Sequence, residues 1–196
     1  MKIEIKHRFT GTVIFSHEAE NNTIKLTVEA AVNLRNSDLS NSNLRNSNLR
    51  NSDLSNSNLR NSDLSYSDLR NSDLSNSDLS NSNLRNSDLS YSDLRNSDLS
   101  NSDLSNSNLR NSDLSGATYG NGIPFTKPPL QLTGLKWPIL IMDTHIKIGC
   151  ELHPTSDWAG FKNSRIKLMD ANALDFWATN KDLILMAANL HQTKKS

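Results

Sequence analysis

The sequence predicts a mainly β solenoid, a chain wound into stacked coils around one apolar axis, with a non-repetitive segment at each end. Three observations predict it. A leucine stands at every fifth residue from Leu34 to Leu114 without interruption. Residues 36–115 contain none of the 7 glycines, 5 prolines, 3 tryptophans or 5 phenylalanines of the chain, so this stretch has its own chemistry. Its other positions are almost all Asn, Asp, Ser and Arg, and the first three are turn residues whose short polar side chains bond nearby backbone.

The period decides between architectures. On a helix, five residues advance about 140° beyond a full turn, so successive leucines would scatter around the cylinder and bury no stripe. On one flat strand an odd spacing sends successive leucines to opposite faces. A chain that turns at every unit satisfies the pattern, because each side then presents its leucine to a shared axis. A solvated low-complexity tract would not keep the leucine register unbroken over eighty residues.

Residues 31–115 divide into seventeen five-residue units, and the sixteen from Asn36 onward use three spellings: Asn-Ser-Asp-Leu-Ser, Asn-Ser-Asn-Leu-Arg and Tyr-Ser-Asp-Leu-Arg. These units resemble the pentapeptide-repeat proteins. The resemblance implies a right-handed quadrilateral β-helix with four units per coil. It also implies that the central leucine and the small residue two places before it face inward. Leu34, Leu39, Leu44 and their successors then form the core, and Ser37, Ser42, Ser47 and theirs lie inside with them. Serine stands where alanine is frequent, so each inward hydroxyl needs a partner, expected to be a backbone carbonyl, or costs about 1–3 kcal/mol. About four coils at ~4.8 Å each make a rod of roughly 20 Å.

A second period overlies the first. Residues 51–75 and 76–100 are identical, and 101–115 repeats the first fifteen residues of that block. A 25-residue copy on a 20-residue coil shifts one face per copy. Tyr66 and Tyr91 are therefore expected on adjacent faces, unstacked. Face by face, Asp53, Asp73, Asp93 and Asp113 form one acidic column. The next face carries Asp38, Asp78 and Asp98 around Asn58, and the other two mix Asp with Arg45, Arg50, Arg70, Arg85 and Arg110. The rod has 11 Asp against 8 Arg, and the tail from residue 116 has 9 basic against 6 acidic groups, inside a chain whose net charge is zero.

Three domains are expected: an N-terminal β cap over 1–30, the β-helix over 31–117, and a small C-terminal α/β domain for capping or association over 118–196. Lys2–Phe9 and Thr12–His17 read as strands around Thr10-Gly11, and Thr23–Val28 as a third. Beyond the turn-rich stretch 116–129, Leu130–Leu132, Trp137–Met142 and His145–Cys150 read as strands. Ser156 or Asp157 is expected to cap a short helix. Ser164–Ala178 and Asp182–His191 read as helices with apolar residues at Leu168, Leu174, Trp177, Ile184, Leu185 and Leu190. The flanks, notably Glu4–Gly11, Val28–Val32 and Ile146–His153, resemble segments of bacteriophage-encoded pentapeptide-repeat proteins.

The function expected is non-enzymatic: a rigid rod, bacterial or bacteriophage, that displays polar faces to an as yet unidentified protein partner, with homodimerisation through the C-terminal domain as an option. Asp53, Asp73, Asp93, Asp113, Tyr66 and Tyr91 form the candidate interaction surface. The alternative comes from the resemblance, since some members of the family mimic a DNA duplex and occupy the DNA site of type II topoisomerases such as gyrase. Neutral net charge argues against direct nucleic-acid binding, and no apolar run reaches the ~20 residues of a membrane span. A leader-like apolar segment is missing, so a cytoplasmic location is expected. No cofactor or metal is expected. His145, Cys150 and His153, with Asp143 and Asp157 nearby, lack the spacing of a four-ligand zinc site. Strand alternation would place His145 and Cys150 on opposite faces, and one Cys on an apolar strand reads as core. Spacing alone leaves a Cys–His pair open. A leucine-filled rod offers no substrate cleft.

Overall fold

The computed structural model describes residues 1–31 and 33–193, the Asn121 side chain apart; Val32, which ends one of the flank segments above, and Lys194–Ser196 lie outside the described residues. The chain forms two compact units, Met1–Pro128 and Pro129–Ser196.

The first unit is the coil. Parallel bridges link each residue before a leucine to its counterpart twenty residues on, as in Asn33↔Asp53↔Asp73↔Asp93↔Asp113. Twenty residues per coil make four five-residue sides. The ladder is built from backbone: Leu54 N donates to Asp73 O at 2.8 Å, and Asp73 N to Ser52 O at 3.0 Å. Between ladders the chain turns, with Ser57 N bonded to Leu54 O at 3.2 Å. In this turn the third residue is Asn56, with φ of 57°, the place where a type II turn requires positive φ. Fourteen Asn residues, together with Tyr66 and Tyr91, occupy such corners with φ between 55° and 61°. Asn recurs because it tolerates the left-handed region better than other side chains.

Every leucine from Leu34 to Leu114 is buried. Most of the inward serines find carbonyls as expected, by two routes. Ser52, Ser72 and Ser97 Oγ donate to the leucine carbonyl three residues earlier, at 2.6, 2.5 and 2.7 Å. Ser57 and Ser67 instead reach Leu34 O and Leu44 O, both at 2.8 Å, and accept the hydroxyls of Ser37 and Ser47. The Ser82 and Ser102 hydroxyls are buried with no partner among the described residues.

Each end of the rod is covered. β1 (Lys2–His7) and β2 (Val13–Glu18) form an antiparallel hairpin with Ile5 opposite Phe15, and β1 pairs in turn with β3 (Ser37–Asp38) on the first coil. Arg8 ties the hairpin further along, donating to Asn56 O at 3.0 Å and Ser57 O at 3.1 Å. The expected third strand is a helix, α1 (Ile24–Ala30). Alternating Ile24, Leu26 and Val28 look like period two. Thr23 overrides that pattern as N-cap, accepting from Leu26 N at 3.2 Å, and adjacent Thr27 and Val28 then share the buried face while Leu26 is exposed. At the other end β4 (Thr118–Tyr119) extends the ladder through the Asp98↔Thr118 bridge and pairs with β5 (Ile123–Pro124) across a 3₁₀ turn. Tyr119, Ile123 and Phe125 are buried there, and Tyr119 OH donates to Ser102 O at 2.8 Å. The structure thus places residues 118–128 with the rod, not with the tail.

The second unit is a four-stranded antiparallel sheet, β6 (Leu130–Leu132), β7 (Ile139–Ile141), β8 (His145–Ile148) and β9 (Glu151–Pro154), in sequence order. Helices α2 (Thr155–Gly160), α3 (Asn163–Ile166) and α4 (Ala173–Thr193) follow. Ile139, Ile141, Ile146 and Ile148 pack with Trp158, Ile166, Phe176, Trp177 and Ile184 in its core. Several expected boundaries move. Pro154 is the N-cap residue of α2, so Ser156 and Asp157 lie in its first turn. The helix expected from Ser164 is a single turn, and Leu168 beyond it is 79% exposed. From Ala173 the helix runs unbroken through Asn180 and Asp182, because no Gly or Pro stops it and Asn180 Nδ2 bonds Phe176 O at 2.8 Å. Leu174 and Leu185 pack against the core, but Leu190 is exposed.

Candidate interaction surface

The residue three places before each corner, Asp or Asn, has a local duty before it has a partner. Asp53 Oδ1 accepts from Ser55 N at 3.0 Å, and Asn58 Oδ1 accepts from Arg60 N at 3.2 Å. The side chain bonds the backbone two residues on and braces the turn. Acidic residues on the rod are in this sense the charged version of a turn residue.

Asp53, Asp73, Asp93 and Asp113 do form one column, linked level by level by the bridges. The column is less acidic than its spelling. Arg95 bonds Asp93 through Nε at 2.9 Å, and its Nε lies 3.9 Å from Asp113. Asp53 and Asp73 are in no ion pair among the described residues. The same interleaving recurs elsewhere: Arg60 lies 3.7 Å from Asp78, Arg85 3.8 Å from Asp103, and Arg70 bonds Asp68 and lies 4.0 Å from Asp88. An arginine after the leucine therefore reaches the aspartate one coil further on. The guanidinium of Arg70 holds the Asp68 carboxyl below its ordinary value, and that of Arg95 does so for Asp93. At Asp113 the Ser115 hydroxyl is the main cause of the same shift, followed by the Ser115 backbone N–H. Such exposed pairs contribute little stability each.

Tyr66 and Tyr91 stand on adjacent corners, in different bridge columns, and do not stack on each other. They are 51% and 60% exposed, with φ of 61° and 60°. A left-handed conformation costs an ordinary L-residue about 1–2 kcal/mol, and a bulky ring lacks the local hydrogen bonding that eases Asn into it. Arg45 lies 4.6 Å over the Tyr66 ring and offsets part of that strain.

In the tail, the titratable residues near Cys150 do not assemble into a site. The strand expected through Cys150 ends at Ile148, and Gly149 at φ of 58° turns the chain, leaving Cys150 exposed and not in the core. His145 pairs across from Pro154 and His153 from Ile146, so the register puts the two imidazoles on opposite faces of the sheet. Burial lowers the His145 pKa, against the pull of Asp157. His153 Nε2 bonds Glu151 at 2.8 Å and its ring meets Trp158 and Phe161 edge-on. Among the described residues, no three of His, Cys, Asp and Glu are grouped to hold a metal ion. No helix among the described residues is long and apolar enough to cross a membrane.

One feature had no signal in sequence: a cavity of about 200 Å³ in the tail, lined by all three tryptophans. Trp137, Trp158 and Trp177 are 21 and 19 residues apart and come together only when the sheet and α4 pack. The expectation of no substrate cleft concerned the rod alone and did not extend to the tail, where this cavity lies.

Comparison with known proteins bears on the rod. The family model described as pentapeptide repeats (8 copies) matches residues 30–65, 62–101 and 77–116. A pentapeptide repeat protein, Rfr23, from the cyanobacterium Cyanothece 51142 is 33% identical, over 44% of this chain and 59% of its own, with a TM-score of 0.43. HetL, a pentapeptide repeat protein involved in heterocyst differentiation regulation from Nostoc sp. strain PCC 7120, is 28% identical over 47% of this chain and 46% of its own, with a TM-score of 0.31. The chain thus spans less than two thirds of the length of either. The pentapeptide repeat protein alr5209 from Nostoc PCC 7120 is 30% identical over 48% of this chain and 74% of its own, with a TM-score of 0.32. Comparison with curated proteins returns no match. Pentapeptide-repeat proteins form right-handed quadrilateral β-helices, in keeping with the 20-residue bridges of the rod. By its leucine register, its four-sided coil and the family model over residues 30–116, this chain belongs to the pentapeptide-repeat family.

Proposed function

We propose that the chain is a non-enzymatic interaction protein, of bacterial or bacteriophage setting, whose rod presents Tyr66 and Tyr91 with the neighbouring aspartates to a protein partner. The observation that carries this reading is the pair of strained, exposed tyrosines. Fourteen corners with the same backbone use Asn, and the two that do not place an aromatic ring where it destabilises the fold and faces solvent. Exposed aromatics of this kind are the usual anchors of interfaces. Replacing Tyr91 by Asn is expected to raise stability by about 1 kcal/mol. Tyr66→Asn gains less, since it also loses the Arg45 contact. Urea denaturation measures both. The double variant is expected to lose a host protein that the unmodified chain captures. Equal recovery of that protein by both would remove the tyrosines from the surface.

The tail supports self-association as the second part of this reading. α4 leaves Leu183, Met186 and Leu190 exposed, at a spacing that shares one helical face. Met186→Glu should lower the mass seen by light scattering at high concentration. Identical monomeric masses for both proteins would retire the homodimer. The alternative reading, a DNA-mimicking modulator of a type II topoisomerase, rests on the aspartate column, and Arg95 compensates the Asp93–Asp113 half of it.

A further inference from the structure

We infer that the cavity of the Pro129–Ser196 unit is a binding site for a small organic ammonium ion, a charged nitrogen bearing short apolar arms. It does not depend on the reading of the rod. The walls are aromatic: Trp137 meets Phe176 edge-on at 4.7 Å between ring centroids, and Trp158 lies 5.2 Å from Trp177 at a tilt of 41°. Indole is the strongest of the side-chain rings in attracting a cation to its face. These rings already do so elsewhere on their surfaces, since Lys136 Nζ lies 4.9 Å from the Trp137 centroid and Lys181 Nζ 5.9 Å from that of Trp177, and neither lysine lines the cavity.

Charge selects the ligand class. The lining contains two carboxylates, Glu151 and Asp170, and no Lys, Arg or His. Both carboxylates are held in place from outside the cavity. Glu151 Oε2 bonds His153 Nε2 at 2.8 Å and lies 3.6 Å from Arg165, while Asp170 Oδ1 accepts from Asn172 N at 2.8 Å. Each has a second oxygen outside those contacts. An anion would face two negative groups, and a neutral apolar ligand would strip water from their second oxygens without replacing its hydrogen bonds. An ammonium ion satisfies walls and carboxylates together. A volume of about 200 Å³ restricts the ligand to a small body, well below drug size.

Choline and its neutral carbon isostere 3,3-dimethylbutan-1-ol make the test, titrated against the intact chain. Indole fluorescence reports binding directly, because every tryptophan of the chain lines the cavity. Choline is expected to bind at least about tenfold more tightly than the isostere. Asp170→Asn and Glu151→Gln should each narrow that gap while leaving the isostere unchanged. Equal affinity of the two compounds, absence of a choline response, or an undiminished gap in both variants would overturn the proposal. The comparison of the two compounds on the unmodified chain stands even if a variant folds poorly.

Discussion

Leu74→Ala is expected to destabilise the rod by about 3 kcal/mol or more, read as a lower urea midpoint in far-ultraviolet circular dichroism. Leu74 is fully buried, between Leu54 and Leu94 of the neighbouring coils. A truncated core normally recovers part of the loss by collapsing. Here collapse is restricted, because the rise between coils is set by backbone bonds on either side: Leu74 N to Asp93 O at 2.7 Å and Leu54 N to Asp73 O at 2.8 Å. The cavity therefore persists, which places the cost in the upper part of the range for such truncations. A rod of stacked repeats also has few alternative contacts to redistribute the damage, since each coil touches only its neighbours. A loss below about 1 kcal/mol would contradict a continuous, rigidly spaced leucine core.

Trp158→Ala is expected to cost the second unit about 3–5 kcal/mol. The ring is buried, its Nε1 donates to Ile146 O at 2.8 Å, and it touches His153, Phe161 and Trp177. Truncation removes the packing of three rings and leaves a buried carbonyl without that donor. Emission from the remaining Trp137 and Trp177 follows the second unit alone, since the first contains no tryptophan. It should shift to the red at lower denaturant than in the unmodified chain. Trp158→Phe restores most of the volume but not the hydrogen bond, and should cost about 1–2 kcal/mol. An alanine variant whose indole transition moved by less than its phenylalanine counterpart would remove Trp158 from the centre of this core.

How much of this was legible in advance differs sharply between the two units. In the rod, leucine spacing and the Asn at fourteen of its corners specify the structure locally, because each unit repeats the same turn and the same inward side chain. The aspartate column and the offset of Tyr66 from Tyr91 follow from counting once the family resemblance supplies four units per coil. What counting misses is where the side chains go. Arg95 neutralises part of the column because a long side chain spans the rise between coils and finds the next carboxylate. In the cap, Thr23–Val28 is too short for its period to separate strand from helix, and the capping bond at Thr23 decides it. In the tail, Cys150 reads as core because it follows an apolar strand, and Gly149 turns it out to solvent one residue later.

The sequence by itself determined a rod that turns at every five residues around a leucine axis, since a repeated local rule needs no distant information to be applied. The four units per coil, and with them the columns of the faces, were implied by the family resemblance and are seen in the 20-residue bridges. Only the tertiary structure decided how the arginines pair, that residues 118–128 close the rod, and that three tryptophans 21 and 19 residues apart surround one cavity with two carboxylates. Those features depend on contacts between segments far apart in the chain, which no period in the sequence encodes.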